Sequence, residues 1–244
     1  MDRKLLRPGL LVVHLLVVVL AVVFVRLGLW QLDRLEERRL VNTVGEQRYS
    51  AEPVALGSLL SGADGDLDSL LYRRAVLTGR FDPANEMLIR SQVYRGTAGF
   101  HVITPLVGED GTAVLVNRGW VPLILDQVPV SEAAPPEGTV TVEGWVRLTQ
   151  ERQALGPVDP PEGRLTALSR VDIARIQNQV PYELAPVYLV LIGEQGNEIP
   201  VPLKPPTFDD DGPHLGYAIQ WFSFALIGVI GYGFLLRRRL SASG

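Results

Sequence analysis

The chain has 244 residues, 23 basic and 27 acidic side chains for a formal net charge of −4, no cysteine, and a mean hydropathy of +0.17. With no basic surplus to neutralise phosphates, the composition argues against nucleic acid as a partner. The lack of cysteine excludes disulfide frameworks, thiolate nucleophiles and sulfur-ligated metals, and three histidines, His14, His101 and His214, argue against a multi-histidine metal cage. The hydropathy is slightly too high for an ordinary soluble domain and points to membrane segments.

In chain order, a basic tail (1–8, with Arg3, Lys4 and Arg7) precedes an apolar stretch, 9–30, whose only charge is Arg26. A second apolar stretch, 215–236, has no charge and is followed by a tail, 237–244, that opens with Arg237, Arg238 and Arg239. Each stretch rises about 33 Å as a helix, enough to cross a ~30 Å hydrocarbon core. A cleaved signal peptide is the competing reading of the first stretch, but its apolar run is long and no small-x-small site follows Arg26. The three arginines after the second stretch predict a cytoplasmic C-terminus in the cell membrane. Two spans put the N-terminus on the same side, so residues 31–214 are expected outside the cytoplasm. The tails and Arg26 hold the positive surplus, which leaves residues 31–214 at −10.

Leu35 to about Gln47 reads as a continuation of the first helix. Beyond it lie six strand-like runs: YRRAVLTGRF (72–81), EMLIRSQV (86–93), FHVITPLV (100–107), TAVLVNRGWV (112–121), TVTVEGWVRL (139–148) and APVYLVLIG (185–193). Gly, Pro and Asp turn signals separate most of them, which predicts a small antiparallel barrel or packed sheet. One helix is expected among them, RVDIARIQNQ with Ser169 as its N-cap. The expected fold is thus a membrane α-helical hairpin bracketing a mostly β extracytoplasmic domain.

No GxSxG, HExxH or SxxK motif stands in the chain, so an enzymatic reading has almost no support. His101 reads as an ordinary strand histidine, at the sheet surface or as a satisfied core group. Asn117, Arg118, Gly119 and Trp120 end an apolar strand, where an arginine and an indole form either a fold-stabilising corner or a partner contact through Arg118 and Trp120. Arg26, Trp30 and Arg34 recur at i, i+4, i+8 along the helix that leaves the first span. They are either an interfacial anchor or a cation and an indole placed for a flat, acidic ligand such as a haem with its propionates. His214 directly precedes the second span, and His214, Ala218, Trp221, Ala225 and Gly228 fall on one arc whose small residues predict packing on the first helix. An imidazole there is either an interfacial hydrogen-bonding group or an axial ligand for haem iron. His14 lies ~20 Å or more along the helices from His214, which excludes the two as opposite ligands of one iron.

The order LGLWQLDRL (27–35), GFHVITPLV with GTAVLVNRGWVP (99–122), VTVEGWVRLTQER (140–152) and HLGYAIQWFSFALIGVIGYG (214–233) resembles the Surfeit locus protein 1 family, with features of its actinobacterial branch. The resemblance covers nearly the whole chain. It implies an assembly factor for cytochrome c oxidase that helps insert haem a into subunit I, with His214 at the position proposed to hold the haem in some members. Gly28, Trp30, Arg34, Arg118, Gly119, Trp120, Tyr217 and Trp221 match family positions. Arg26, Trp30, Arg34, His214, Tyr217 and Trp221 are accordingly the expected haem contacts. The alternative it leaves is a non-catalytic accessory subunit or chaperone, bound to the oxidase or a respiratory supercomplex without holding haem. Pro213 replaces the polar residue usual before the histidine, and proline suits a helix start at His214.

Overall fold

The computed structural model describes residues 8–152, 154, 156–193 and 198–241. Arg3, Lys4 and Arg7 lie outside these residues. Both apolar stretches are helical: α1 spans Pro8–Ser50 and α4 spans His214–Ser241. The predicted continuation through Leu35 and Gln47 is part of the same 43-residue helix. Along the two helices Val12, Leu15, Leu226, Ile227 and Phe234 are each at least 60% exposed. Water does not tolerate such a belt of bare aliphatic side chains and lipid does, so these are the membrane-crossing helices of a membrane protein.

The chain divides into two units, one of the residues up to Val44 with those from Phe208 on, the other Gly45–Thr207. In the first, α1 and α4 pack through the small-residue stripe: Ala218 is 1% and Ala225 8% exposed. Gly28 lets the helices approach, since a Cβ there would lie 2.7 Å from the Phe222 ring. Phe24 stacks on Trp221 with ring centroids 5.7 Å apart. His14 hydrogen-bonds across to the Tyr232 hydroxyl, which satisfies both polar groups within apolar surroundings. Beyond the apolar part, Asn42 donates to the Asp210 carbonyl at 3.0 Å and Arg39 pairs with Asp211 at 2.8 Å. These contacts tie the approach to α4 onto α1.

The second unit is built on an eight-stranded sheet: β1 (Val54–Ala55), β2 (Arg74–Phe81), β3 (Met87–Tyr94), β4 (Thr97–Val107), β5 (Ala113–Pro122), β6 (Thr139–Leu148), β7 (Ala167–Leu168) and β8 (Leu184–Leu191). All six expected strands are present, joined by the two-residue β1 and β7. A short α2 (Leu56–Gly62) follows β1, and α3 (Ile173–Gln177) precedes β8. Pairing of β2 with both β6 and β4 closes the ring β2-β6-β8-β5-β4. This is the order of an OB-type Greek-key barrel, with β4 and β5 as its second and third strands. The ring is not wholly antiparallel as expected: β8 inserts between β5 and β6 and therefore runs parallel to β5.

Alternation does the rest. Ala75, Leu106, Val114, Val116, Val146 and Leu189 fill the interior of the ring, all 4% exposed or less. The alternate residues Met87, Ile103, Leu115, Tyr188 and Val190 form an outer face covered by α3 and the chain around Leu168 and Val171. The helix there starts later than expected. Asp172, not Ser169, caps it by accepting the Arg175 N–H at 3.0 Å. Ser169 is drawn away because its N–H and hydroxyl both bind the Asp159 carboxylate.

Candidate functional site

His214 is the first residue of α4, as its proline predicts: the Pro213 carbonyl accepts the Tyr217 N–H at 3.1 Å and so sits in the N-cap position. Its imidazole is half-buried, and Nδ1 lies 2.9 Å from Oε1 of Gln31, a residue only 9% exposed on α1. An amide oxygen can only accept, so Nδ1 carries the proton and Nε2 keeps the lone pair. A histidine whose one nitrogen donates to a carbonyl is oriented to ligate a metal through the other. Among the described residues no group of three or more His, Asp or Glu is placed to hold a metal ion. A haem iron, which takes a single histidine nitrogen, would be held here through His214 Nε2.

The other expected haem residues spread around this centre. Trp221 lies about 10 Å along α4 on the histidine's own face, half-buried against Phe24. Tyr217 is 48% exposed on the flank. On α1, at about 100° per residue, Arg34, Trp30 and Arg26 turn roughly 60°, 100° and 140° away from Gln31. Trp30 is 49% exposed, and the Arg34 guanidinium lies over its ring at 5.9 Å while also pairing with Glu37 at 2.5 Å. Thus His214 and Trp221 share a face with Gln31 opposite, Arg34 and Trp30 form a separate outward pair, and Arg26 stands on the exposed side. Gln31 escaped the sequence reading. The available signal was its place three residues after Gly28 and four before Leu35, the two packed positions of that helix face.

Asn117 to Trp120 form a built corner. Ile103 opposes Asn117 and Val102 opposes Gly119, so Arg118 is the extra residue of a β-bulge. The bulge turns Arg118 onto the face away from His101, where it is 4% exposed and meets Glu86 at 2.8 Å and Thr104 at 2.8 Å. Glu86 is also the acceptor for the Thr104 hydroxyl and the Val130 N–H. Of the two residues expected at a partner surface, Arg118 presents almost nothing to a partner, because a buried guanidinium must keep its carboxylate. Trp120 is 8% exposed, tilted against Tyr94 at 5.4 Å, with its indole N–H buried and unpaired.

His101 on β4 is not a free surface histidine. Burial pushes its pKa from the ordinary 6.5 down to about 4, and Asn117 Nδ2 lies 3.4 Å from its Nδ1. Between these two values the unfolded chain binds the proton that the folded chain refuses. Stability from this group is therefore complete above pH ~6.5 and is lost as pH falls toward 4, by about 2–3 kcal/mol. Urea melts of wild type and His101→Gln between pH 7 and 4 should diverge accordingly, the variant losing less; parallel curves would refute the shift.

Two exposed apolar helices, closed into a hairpin by small residues, and a β-barrel that lies between them in the chain define a two-span membrane protein. A model of the SURF1 family matches residues 18–226, and the chain belongs to that family. It is similar to a SURF1-like protein of Mycobacterium tuberculosis, 32% identical over 242 residues, covering 98% of this chain and 87% of that one. It is also similar to Surfeit locus protein 1 of Arabidopsis thaliana, 37% over 106 residues (39% and 30% of the two chains). Cytochrome oxidase assembly protein SHY1 of Saccharomyces cerevisiae is 31% identical over 96 residues (39% and 24%).

Proposed function

We propose that this protein assists assembly of cytochrome c oxidase in the cell membrane, holding haem a at His214 for insertion into subunit I. Both termini are cytoplasmic in this reading and the barrel is extracytoplasmic. The family and the function named for the yeast relative support the assembly role. The observation that supports the haem step is the His214 to Gln31 hydrogen bond, which frees Nε2 for a metal. When bound, the haem supplies an iron that takes one nitrogen donor. The chain's own part is to fix the imidazole through Gln31, offer Trp221 and Tyr217 beside it, and leave the propionates to Arg34 at the membrane edge. No residue in this account performs a catalytic step.

The test is purification in mild detergent from a host that makes haem a. Wild type should carry a Soret band, His214→Ala should lose it, and Gln31→Leu should weaken haem affinity about 10–100-fold by releasing the tautomer. A colourless wild type that still supports oxidase assembly overturns haem holding. One observation favours a second reading, an accessory subunit or chaperone that holds no haem and stays with the oxidase or its supercomplex. Arg34 is already committed to Trp30 and Glu37, which leaves Trp30 as an exposed, braced indole suited to a protein neighbour. That version predicts stoichiometric co-purification with the oxidase, tolerance of His214→Ala, and release by Trp30→Ala.

A further inference from the structure

The outer face of the barrel carries a cleft of about 270 Å³, floored by Trp145, Val190 and Leu203. Its polar lining includes His101, Asn117, Arg147, Gln150, Tyr188 and Lys204. His101 and Asn117 come from the second and third strands of the ring, the face on which OB-type barrels hold their ligands.

Asn117 and His101 are set as donors. Asn117 is 4% exposed, and its Oδ1 is spent on the Gly119 N–H at 3.1 Å, so its amide N–H₂ is what remains for His101 Nδ1. With Nδ1 accepting, His101 carries its proton on Nε2. Burial keeps the ring neutral at physiological pH, so it donates without adding charge. Gln150 donates to the hydroxyl of the buried Tyr188 at 3.4 Å. Arg147 and Lys204 are the two charges, and no lining residue is acidic, although residues 31–214 together carry −10. An acid-free pair of cations in so acidic a stretch selects an anion, and an arginine fork selects carboxylate or phosphate geometry.

Size and floor narrow the choice. The volume equals about nine waters at ~30 Å³ each and falls just under the ~300–1,000 Å³ of pockets for drug-sized ligands. A porphyrin does not fit within that volume. The apolar floor rewards a hydrocarbon body that inorganic phosphate lacks. We propose that the cleft binds a small carboxylic acid with an apolar body, its carboxylate on Arg147 and Lys204 with His101 donating, and its body on Trp145, Val190 and Leu203.

The test titrates benzoate into the full-length protein in detergent by calorimetry, with inorganic phosphate and benzyl alcohol as comparison probes. Benzoate should bind with a Kd of roughly 0.1–1 mM, and each comparison probe at least tenfold more weakly. Arg147→Gln should cost tenfold or more in benzoate affinity. Lys204→Gln, at an exposed position where folding is not at stake, should cost about threefold. No benzoate binding to wild type, phosphate binding as well as benzoate, or unchanged affinity in both variants overturns the proposal. Should Arg147→Gln fail to fold by circular dichroism, Lys204→Gln and the two comparison probes decide it.

Discussion

Replacing Arg118 by alanine should destabilise the barrel by about 3–5 kcal/mol, because it strands the Glu86 carboxylate, 0% exposed, as an uncompensated buried charge. The loss is larger than that of any one contact. Arg118 also donates to Thr104 and lies 5.8 Å from the Phe81 ring centroid, so one truncation opens a network on the inner side of the sheet. For a domain of this size the midpoint should fall by roughly 10 °C, read by near-ultraviolet circular dichroism in detergent. The paired change Glu86→Gln with Arg118→Met removes both charges and leaves an amide oxygen for the Val130 N–H, so it should recover most of the loss. A single-variant cost below about 1 kcal/mol would show that the carboxylate is solvated in the folded protein.

The second large effect is expected one residue on. Gly119 has φ +132°, and a Cβ there would stand 2.3 Å from the Val201 carbonyl oxygen. The backbone approaches that closely because Trp120 N–H donates to Val201 O at 2.7 Å and Val201 N–H donates back at 2.8 Å. Gly119→Ala must strain the backbone or break this exchange, and both groups are buried, since Trp120 is 8% and Val201 3% exposed. Strain of ~1–3 kcal/mol and the orphaning of buried donors together predict a loss of about 3–5 kcal/mol. Hydrogen exchange separates the two routes. Fast exchange at the Trp120 and Val201 amides means a broken bridge, while protected amides with a lowered midpoint mean stored strain. A variant as stable as wild type with both amides protected would contradict the close approach.

The motif around these two residues shows how far the chain alone could be read. An arginine followed by glycine and tryptophan at a strand end was recognisable as a special corner. That it faces inward depends on a bulge opposite Val102 and Ile103 and on Glu86, which stands 32 residues away in the chain. Nothing local to the motif announces either. The Ser169 cap failed for the same reason, since Asp159 outcompetes the helix for its N–H and hydroxyl. Gln31 also needed the partner helix. Its spacing marks a helix face, but only the approach of α4 brings it to His214.

Part of this molecule is controlled by near-neighbour chemistry alone. Runs of aliphatic residues set the two spans, proline and histidine set where α4 begins, and alternation with turn residues set six strands. These are preferences each segment carries wherever it goes. The tertiary structure decided which strands adjoin, that β8 runs parallel to β5, that Arg118 is buried, that His214 is held by Gln31, and that His101, Arg147 and Lys204 face one cleft. Each is a meeting of residues far apart in the chain, fixed within the sheet by how its strands close and within the hairpin by how its two helices pack, and no local preference records it.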